Sequence, residues 1–238
     1  MTGRDVLLSV VVALALAVLN EPVYAQSLNF VRIAGEELTS REIADIRLRA
    51  EQGYPDAQFA LGVMHWEGRS VEQDDGEAAR WFRLAADQGE ADGQTALGDA
   101  YWDGRGVPQD DREAVRWFRL AAEQGNAFSQ TQLGIVYWEG RGAAQDDREA
   151  VQWFRQGAEG GNSVATSWLA LAYSEGRGVL QDFVFAHAWA NLAASRLSGD
   201  MRVSSVEMRD EAAKRLTSEE LDAAQRLAEQ LMAVNPPR

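Results

Sequence analysis

The sequence contains no cysteine and only two histidines among its 238 residues. The lack of cysteine excludes disulfide frameworks, thiolate metal sites and cysteine nucleophiles. The two histidines, His65 and His187, lie far apart in sequence, so the local histidine spacings of zinc sites are absent as well. The sequence therefore predicts neither a metal site nor a cofactor.

Positive charge is also scarce, because 23 basic side chains stand against 37 acidic ones and leave a formal charge of −14. A field of that sign repels phosphate groups, which disfavours nucleic acids and anionic membrane surfaces as partners. The hydrophobic fraction of 46% is high enough for a packed core.

A short hydrophobic segment lies near the amino terminus. Residues 6–19 are apolar apart from Ser9, Arg4 precedes them, and Val23 and Ala25 supply small residues before Gln26. This pattern predicts a secretory signal peptide over residues 1–25. A membrane-spanning helix needs about 20 apolar residues, so we expect export to the periplasm without stable membrane insertion after cleavage. Secretion and retention as an uncleaved signal anchor are the alternatives.

The strongest signal is a repeat of 36 residues, and such periods are typical of stacked repeat folds. Four columns keep their residue type through four copies: Leu61, Leu97, Leu133 and Leu169; Gly68, Gly104, Gly140 and Gly176; Ala78, Ala114, Ala150 and Ala186; Trp81, Trp117, Trp153 and Trp189. An arginine follows each glycine of the second column.

Each copy reads as two helices. In the second copy, Leu97 and Tyr101 lie four residues apart on a first helix that ends at Gly104, where a left-handed terminus favours glycine. Asp110, followed three residues later by Glu113, is typical of the start of a second helix. Neither helix can bury its apolar side alone, so the copies are expected to stack.

The pattern resembles the Sel-one-like repeat, a relative of the tetratricopeptide repeat. The motif that carries the resemblance runs from Leu97-Gly98 through Tyr101, Gly104-Arg105-Gly106-Val107, Gln109-Asp110, Ala114 and Trp117 to Ala121-Ala122-Glu123-Gln124-Gly125-Asn126. The resemblance implies an all-α, right-handed α-solenoid of paired antiparallel helices. It assigns a capping helix to residues 26–53, four repeats to 54–197 and two capping helices to 198–238.

Two copies depart from the pattern. The first has His65 and Ser70 where the others have tyrosine and glycine. The last has Phe183 in place of aspartate and Ala190 in place of phenylalanine.

One face of each first helix varies between copies while staying largely apolar, and three of the copies place tryptophan there. By resemblance to tetratricopeptide stacks, these side chains would line a concave groove for a protein or peptide partner, since aromatic residues are common anchors of binding energy. The alternative is that the tryptophans fill gaps between adjacent repeats. The candidate partner-binding residues are Phe59, Val63, Trp66, Asp99, Trp102, Ile135, Trp138 and Leu171.

No motif in the sequence predicts catalysis. The Gly-Arg-Gly loops follow helices rather than strands and lack the third glycine of a phosphate-binding loop. Their arginines are expected to bond carbonyls or aspartates of the same loop, and the Asp-Asp pairs are explained by helix capping. We therefore expect an exported, non-enzymatic scaffold, with an envelope enzyme or glycan-binding factor acting on peptidoglycan or β-lactams as the alternative.

Overall fold

The computed structural model describes residues 38–234. These residues form eleven helices and no strand, so the expected all-α fold of paired helices is confirmed for this part of the chain. The predicted signal peptide and the last four residues lie outside the described residues. The helices are α1 (Ser40–Glu51), α2 (Pro55–Glu67), α3 (Asp75–Asp87), α4 (Ala91–Asp103), α5 (Asp111–Glu123), α6 (Ala127–Glu139), α7 (Asp147–Glu159), α8 (Ser163–Glu175), α9 (Phe183–Arg196), α10 (Gly199–Ala213) and α11 (Ser218–Val234).

The described residues divide into two compact units. The N-terminal unit comprises residues 38–136 and 140–144, and the C-terminal unit comprises residues 137–139 and 145–234. Within the N-terminal unit, each of the helices α1 to α4 packs against the next one in sequence. Within the C-terminal unit, α7 packs on α8, α8 packs on α9, and α9 contacts both α10 and α11.

The helix boundaries follow local chemistry. An aspartate side chain caps each second helix, as where Asp110 accepts hydrogen bonds from the backbone N–H groups of Arg112 and Glu113 at 3.0 and 3.1 Å. Each first helix ends on a glycine with φ between +66° and +72°. Thr39 and Glu42 form a reciprocal capping box at the start of α1.

The glycine that follows Leu97 in the repeat motif, Gly98, allows close helix packing. A methyl group placed on Gly98 would lie 2.6 Å from the ring of Phe118, which is too close for a real contact. The first and second helices of this repeat therefore approach each other only because position 98 carries no side chain. The equivalent Gly62 faces Phe82 at the same distance.

The core of the N-terminal unit continues from one repeat to the next. One cluster joins Ile46 and Ala50 of α1 to Leu61 of α2 and Trp81 of α3. A second cluster joins Phe82 and its neighbours to the next repeat, and its members are Phe59, Val63, Ala78, Phe82, Ala85, Ala86, Ala96, Leu97 and Trp117. Each repeat thus buries its apolar side against its neighbours, as expected for a stacked array.

The last two helices follow the repeats in the C-terminal unit. α10 begins at Gly199, and α11 begins after the Thr217 cap. Neither these helices nor any other described helix is long and apolar enough to cross a membrane.

Candidate functional site

Most of the predicted partner-binding residues lie in the packed interior. Val63 and Leu171 are fully buried, and Phe59, Asp99, Ile135 and Trp138 are at most 9% exposed. Only Trp66 and Trp102, both in the N-terminal unit, are half-buried. A role in partner binding stays a prediction, and these two tryptophans are the candidates whose side chains reach the surface.

The burial of this face has a clear physical reason. In the N-terminal unit, α2 contacts its own second helix α3 and also the first helix of the next repeat, α4. Phe59 and Val63 therefore meet Ala96 and Leu97 in one cluster, although each lies two residues from Leu61 and so on nearly the opposite side of α2. Phe59 and Val63 therefore belong to the packed core between adjacent repeats.

Trp66 is held against an arginine of the following repeat. The guanidinium carbon of Arg105 lies 3.6 Å from the centroid of the Trp66 ring, within the range of a strong cation–π contact. The same guanidinium donates to Asp75 Oδ1 at 2.6 Å and to the backbone oxygen of Trp66 at 3.3 Å. We call this set of tryptophan, aspartate and arginine an arginine junction.

The arginine junction recurs twice. Arg141 lies 3.7 Å from the Trp102 ring and donates to Asp111 Oδ1 at 2.6 Å. In the C-terminal unit, Arg177 makes the same contacts with Trp138 and Asp147, at 3.6 and 2.6 Å. The sequence prediction that these arginines bond their own loops is therefore wrong, because the partners belong to the preceding repeat.

The paired aspartates have two different tasks. The first of each pair caps a second helix, whereas the second of each pair, such as Asp111, accepts from the arginine of the next repeat. The hydrogen bond from Arg141, aided by its charge, holds the pKa of Asp111 below its usual value. The hydrogen bond from Arg177 lowers the pKa of Asp147 in the same way. Capping explains only half of the pattern.

The second glycine of each Gly-Arg-Gly loop allows the arginine to reach the preceding repeat. Gly106 has φ of +70°, and a methyl group on it would collide with the backbone carbonyl of Asp75. The loop therefore lies directly on the first turn of α3, which places Arg105 beside Trp66. The glycines are needed for helix contact rather than for binding phosphate.

A signal for these junctions is present in the sequence. The tryptophan and the second aspartate occur in the first three repeats, and their equivalents in the fourth are Ser174 and Phe183. The fourth repeat keeps its arginine, Arg177, and no fifth arginine loop follows. If the tryptophan and the aspartate serve only to bind the arginine of the next repeat, both should be lost together in the last repeat, and the sequence shows this.

Two acidic side chains of the N-terminal unit are partly desolvated. Burial raises the pKa of Asp103 above its usual value, although Arg105 and Arg141 act in the opposite direction. Burial also raises the pKa of Glu90 to about 7, and nearby Asp92 adds to the shift, while the Gly93 N–H group opposes it. Glu90 caps α4, where Asn126 and Asn162 cap the equivalent helices of the next two repeats.

The two histidines have different surroundings. His65 is half-buried, with its Nδ1 atom 3.2 Å from the backbone oxygen of Glu72. His187 is 6% exposed, and its pKa is lowered by burial and by Arg209, while Asp210 opposes the shift. No group of three or more histidine or acidic side chains among residues 38–234 is arranged to hold a metal ion.

The comparisons with known proteins agree with the repeat pattern. The family model of the Sel1 repeat matches four successive segments, 55–90, 91–126, 127–162 and 163–196. No curated protein matches the chain significantly.

Two similar solved structures carry the same type of repeat. A Sel1 repeat protein from Oxalobacter formigenes is 29% identical with a TM-score of 0.62, over 76% of this chain and 82% of that protein. The protein c5321, a protective antigen of uropathogenic Escherichia coli strains displaying an SLR fold, is 30% identical with a TM-score of 0.55, over 80% of this chain. The match spans only about half of the antigen, 48% of its length.

Proposed function

We propose that this chain, which belongs to the Sel1 repeat family, is an exported scaffold without enzymatic activity that binds a protein or peptide partner. Members of the family are generally scaffolds for protein interactions. A periplasmic adaptor or a regulator of envelope signalling fits the apolar segment at residues 6–19, which has the features of a signal peptide. This assignment of the biological setting depends on analogy with the family.

The observation that carries the proposal is that Trp66 and Trp102 are half-buried and keep some exposed ring surface. The arginine on each ring fixes its orientation, so a partner that stacks on the remaining indole surface loses little conformational entropy from the site. Tryptophan is enriched among the residues that dominate binding energy at protein interfaces. The surface around these two rings is therefore the proposed partner-binding site.

Photo-crosslinking in intact cells tests the site directly. The photoreactive residue p-benzoylphenylalanine is placed at position 102, where it conserves an aromatic ring, and at the exposed position 112 of α5 as a matched control. We expect one defined protein adduct from position 102 and none from position 112, with the adduct diminished by excess unmodified protein. Equal labelling from both positions would contradict a binding role for the tryptophan surface.

Export is tested separately by cell fractionation and by the mass of the mature protein. We expect the protein in the periplasmic fraction with Gln26 as its first residue. Recovery of an intact amino terminus in the membrane fraction would replace this part of the proposal with the signal-anchor alternative.

Half-exposed indole rings also stack on sugars, which keeps glycan binding as the second candidate. Calorimetric titration with purified muropeptides distinguishes the two candidates. We expect no heat of binding beyond dilution, and turnover of a chromogenic cephalosporin above background would contradict the assignment as a non-enzyme.

A further inference from the structure

Three exposed leucines occupy one column of the repeat in the N-terminal unit. Leu48 on α1, Leu84 on α3 and Leu120 on α5 are 36 residues apart and are 53%, 40% and 37% exposed. The equivalent residue on α7 is the exposed Gln156. Since α7 forms with glutamine at this position, the second helix does not itself require leucine there. We call Leu48, Leu84 and Leu120 the leucine stripe.

The helices that carry the leucine stripe lie side by side. Trp81 of α3 shares a core cluster with Ile46 and Ala50 of α1. Trp117 of α5 shares a cluster with Phe82 of α3. The three leucines therefore recur at the same position on successive second helices that share core clusters, which places them in one row of the N-terminal unit.

Charged side chains flank the stripe in a fixed order. On α3, the exposed Arg80 lies one turn before Leu84 and the exposed Asp87 lies one turn after it. On α5, Arg116 and Glu123 hold the same places around Leu120, and Glu51 follows Leu48 on α1. On α3 and α5, a basic group thus comes before the stripe and an acidic group follows it, whereas α1 has Ala44 in the first place and Glu51 in the second.

If a second copy of this surface faces the first with its helices antiparallel, the basic groups of each copy lie opposite the acidic groups of the other. We propose that a second copy of the chain packs on the leucine stripe, with a two-fold axis near Leu84. Arg80 then faces Asp87 of the second copy, while α1 faces α5 of that copy and Glu51 meets its Arg116. A copy placed in the same direction would set like charges against each other, which disfavours that arrangement.

The size of the surface indicates a weak dimer. Three helices spaced about 10 Å apart and about 20 Å long present about 600 Å² per copy, at the low end of specific interfaces. We therefore expect a dissociation constant on the order of micromolar. The inference is independent of the proposed partner-binding site at Trp66 and Trp102.

Sedimentation velocity of the mature protein over a range of about 1 to 200 μM tests the proposal, since that range spans the expected constant. We expect the mass to rise from monomer to dimer with concentration. Leu84→Gln combined with Leu120→Gln, which introduces the residue found on α7, should weaken dimerisation at least 10-fold without lowering the melting temperature. The matched control is Leu180→Gln, because Leu180 is a 91% exposed leucine of the C-terminal unit.

A charge reversal distinguishes this surface from a general apolar effect. Arg80→Asp alone should weaken dimerisation about 5-fold, and adding Asp87→Arg should restore it, since both partners change sign across the two-fold axis. Circular dichroism checks that each variant stays folded, because Arg80 also pairs with Glu77 at 2.8 Å. A monomeric wild type throughout, a dimer unaffected by the leucine changes, or no restoration by the second substitution would overturn the proposal.

Discussion

The arginine junctions between repeats differ in kind from the packing at the end of the array. At an arginine junction, one guanidinium contacts a tryptophan ring, an aspartate and a backbone oxygen of the preceding repeat. Where α10 packs on α8 and α9, the contacts instead include the buried His187 of α9 and a 3.2 Å contact between the hydroxyls of Ser167 on α8 and Ser205 on α10. Arg215 lies 5.6 Å from the ring of Phe183, which stands where the earlier repeats have aspartate.

The arginine junction, which recurs between repeats, and the contact at the end of the array, which occurs once, are stabilised in different ways. Hydrogen bonds donated by a planar guanidinium are directional, so an arginine junction can fix the position of one repeat on the next. The end of the array makes its contact once and depends more on burial. A polar group buried there is therefore more easily left without a matching partner, as the buried His187 illustrates.

The largest expected effect comes from disrupting the loop of an arginine junction. Gly106→Ala forces a side chain into the carbonyl of Asp75 at a φ of +70°, so we expect a loss of at least about 3 kcal/mol in the free energy of unfolding. The control is Gly125→Ala, where φ is +88° but nothing lies within 4 Å, and the expected loss is about 1 kcal/mol. Urea denaturation measures both, and equal losses would show that the loop contact is unimportant.

Removal of the arginine itself should have the next largest effect. Arg141→Ala removes a charged hydrogen bond and a cation–π contact, and we expect a loss of about 2 kcal/mol. Arg69→Ala is the matched control, because Arg69 holds the same place in the first repeat and pairs with Glu67 of its own repeat at 2.9 Å. The expected loss there is below about 0.5 kcal/mol. Similar denaturation midpoints for the two variants would contradict a special role for the junction.

Acid should weaken the end of the array before it weakens the arginine junctions. Burial lowers the pKa of His187 in the folded state, so its contribution to stability is lost as the pH falls below the ordinary value of 6.5. The pKa values of Asp111 and Asp147 are lowered from 3.8, so their contribution persists until the pH falls below that value.

Hydrogen exchange at pH 7.5 and pH 5.5, corrected for the intrinsic rate, measures this difference. We expect protection of α10 to fall at the lower pH by no more than about 1.4 kcal/mol, which is the value of one pH unit below an unshifted histidine. His187→Gln should abolish the change. A uniform loss of protection over all helices would argue against a local effect of His187.

The smallest effect is expected from restoring the repeat residue at the end of the array. Phe183→Asp introduces the residue of the other repeats, but no arginine loop follows to pair with it. Loss of the contact with Arg215 is partly offset by a favourable acidic group in the first turn of α9, so we expect a change below about 1 kcal/mol. A strong stabilisation in thermal melts would reveal a cationic partner.

Local features of the fold were predictable from the sequence. The cap at Asp110, the left-handed terminus at Gly104 and the close approach at Gly98 each follow from the chemistry of one residue. The contact partners of Arg105 were not predictable in this way. Identical copies have the same sequence pattern whether a contact stays within one repeat or joins two repeats. Only the changes at Ser174 and Phe183 distinguish the two possibilities.

The candidate site was predicted less well than the fold. Helical periodicity places Val63 and Trp66 on one face, but it does not show how much of that face a neighbouring helix covers. Val63 meets the next repeat and is fully buried, whereas Trp66, nearly one turn later, retains exposed surface. Burial by a neighbouring repeat depends on tertiary packing, which a periodicity argument does not contain.

The arginine junction gives the array a polarity. Each of the second and third repeats carries an arginine loop for the repeat before it and a tryptophan–aspartate pair for the repeat after it. Duplication of any such 36-residue segment would copy the arginine loop and the tryptophan–aspartate pair together. The new repeat could then form an arginine junction with the repeat on either side of it. A gene encoding this chain can therefore lengthen or shorten by whole repeats without new compensating substitutions.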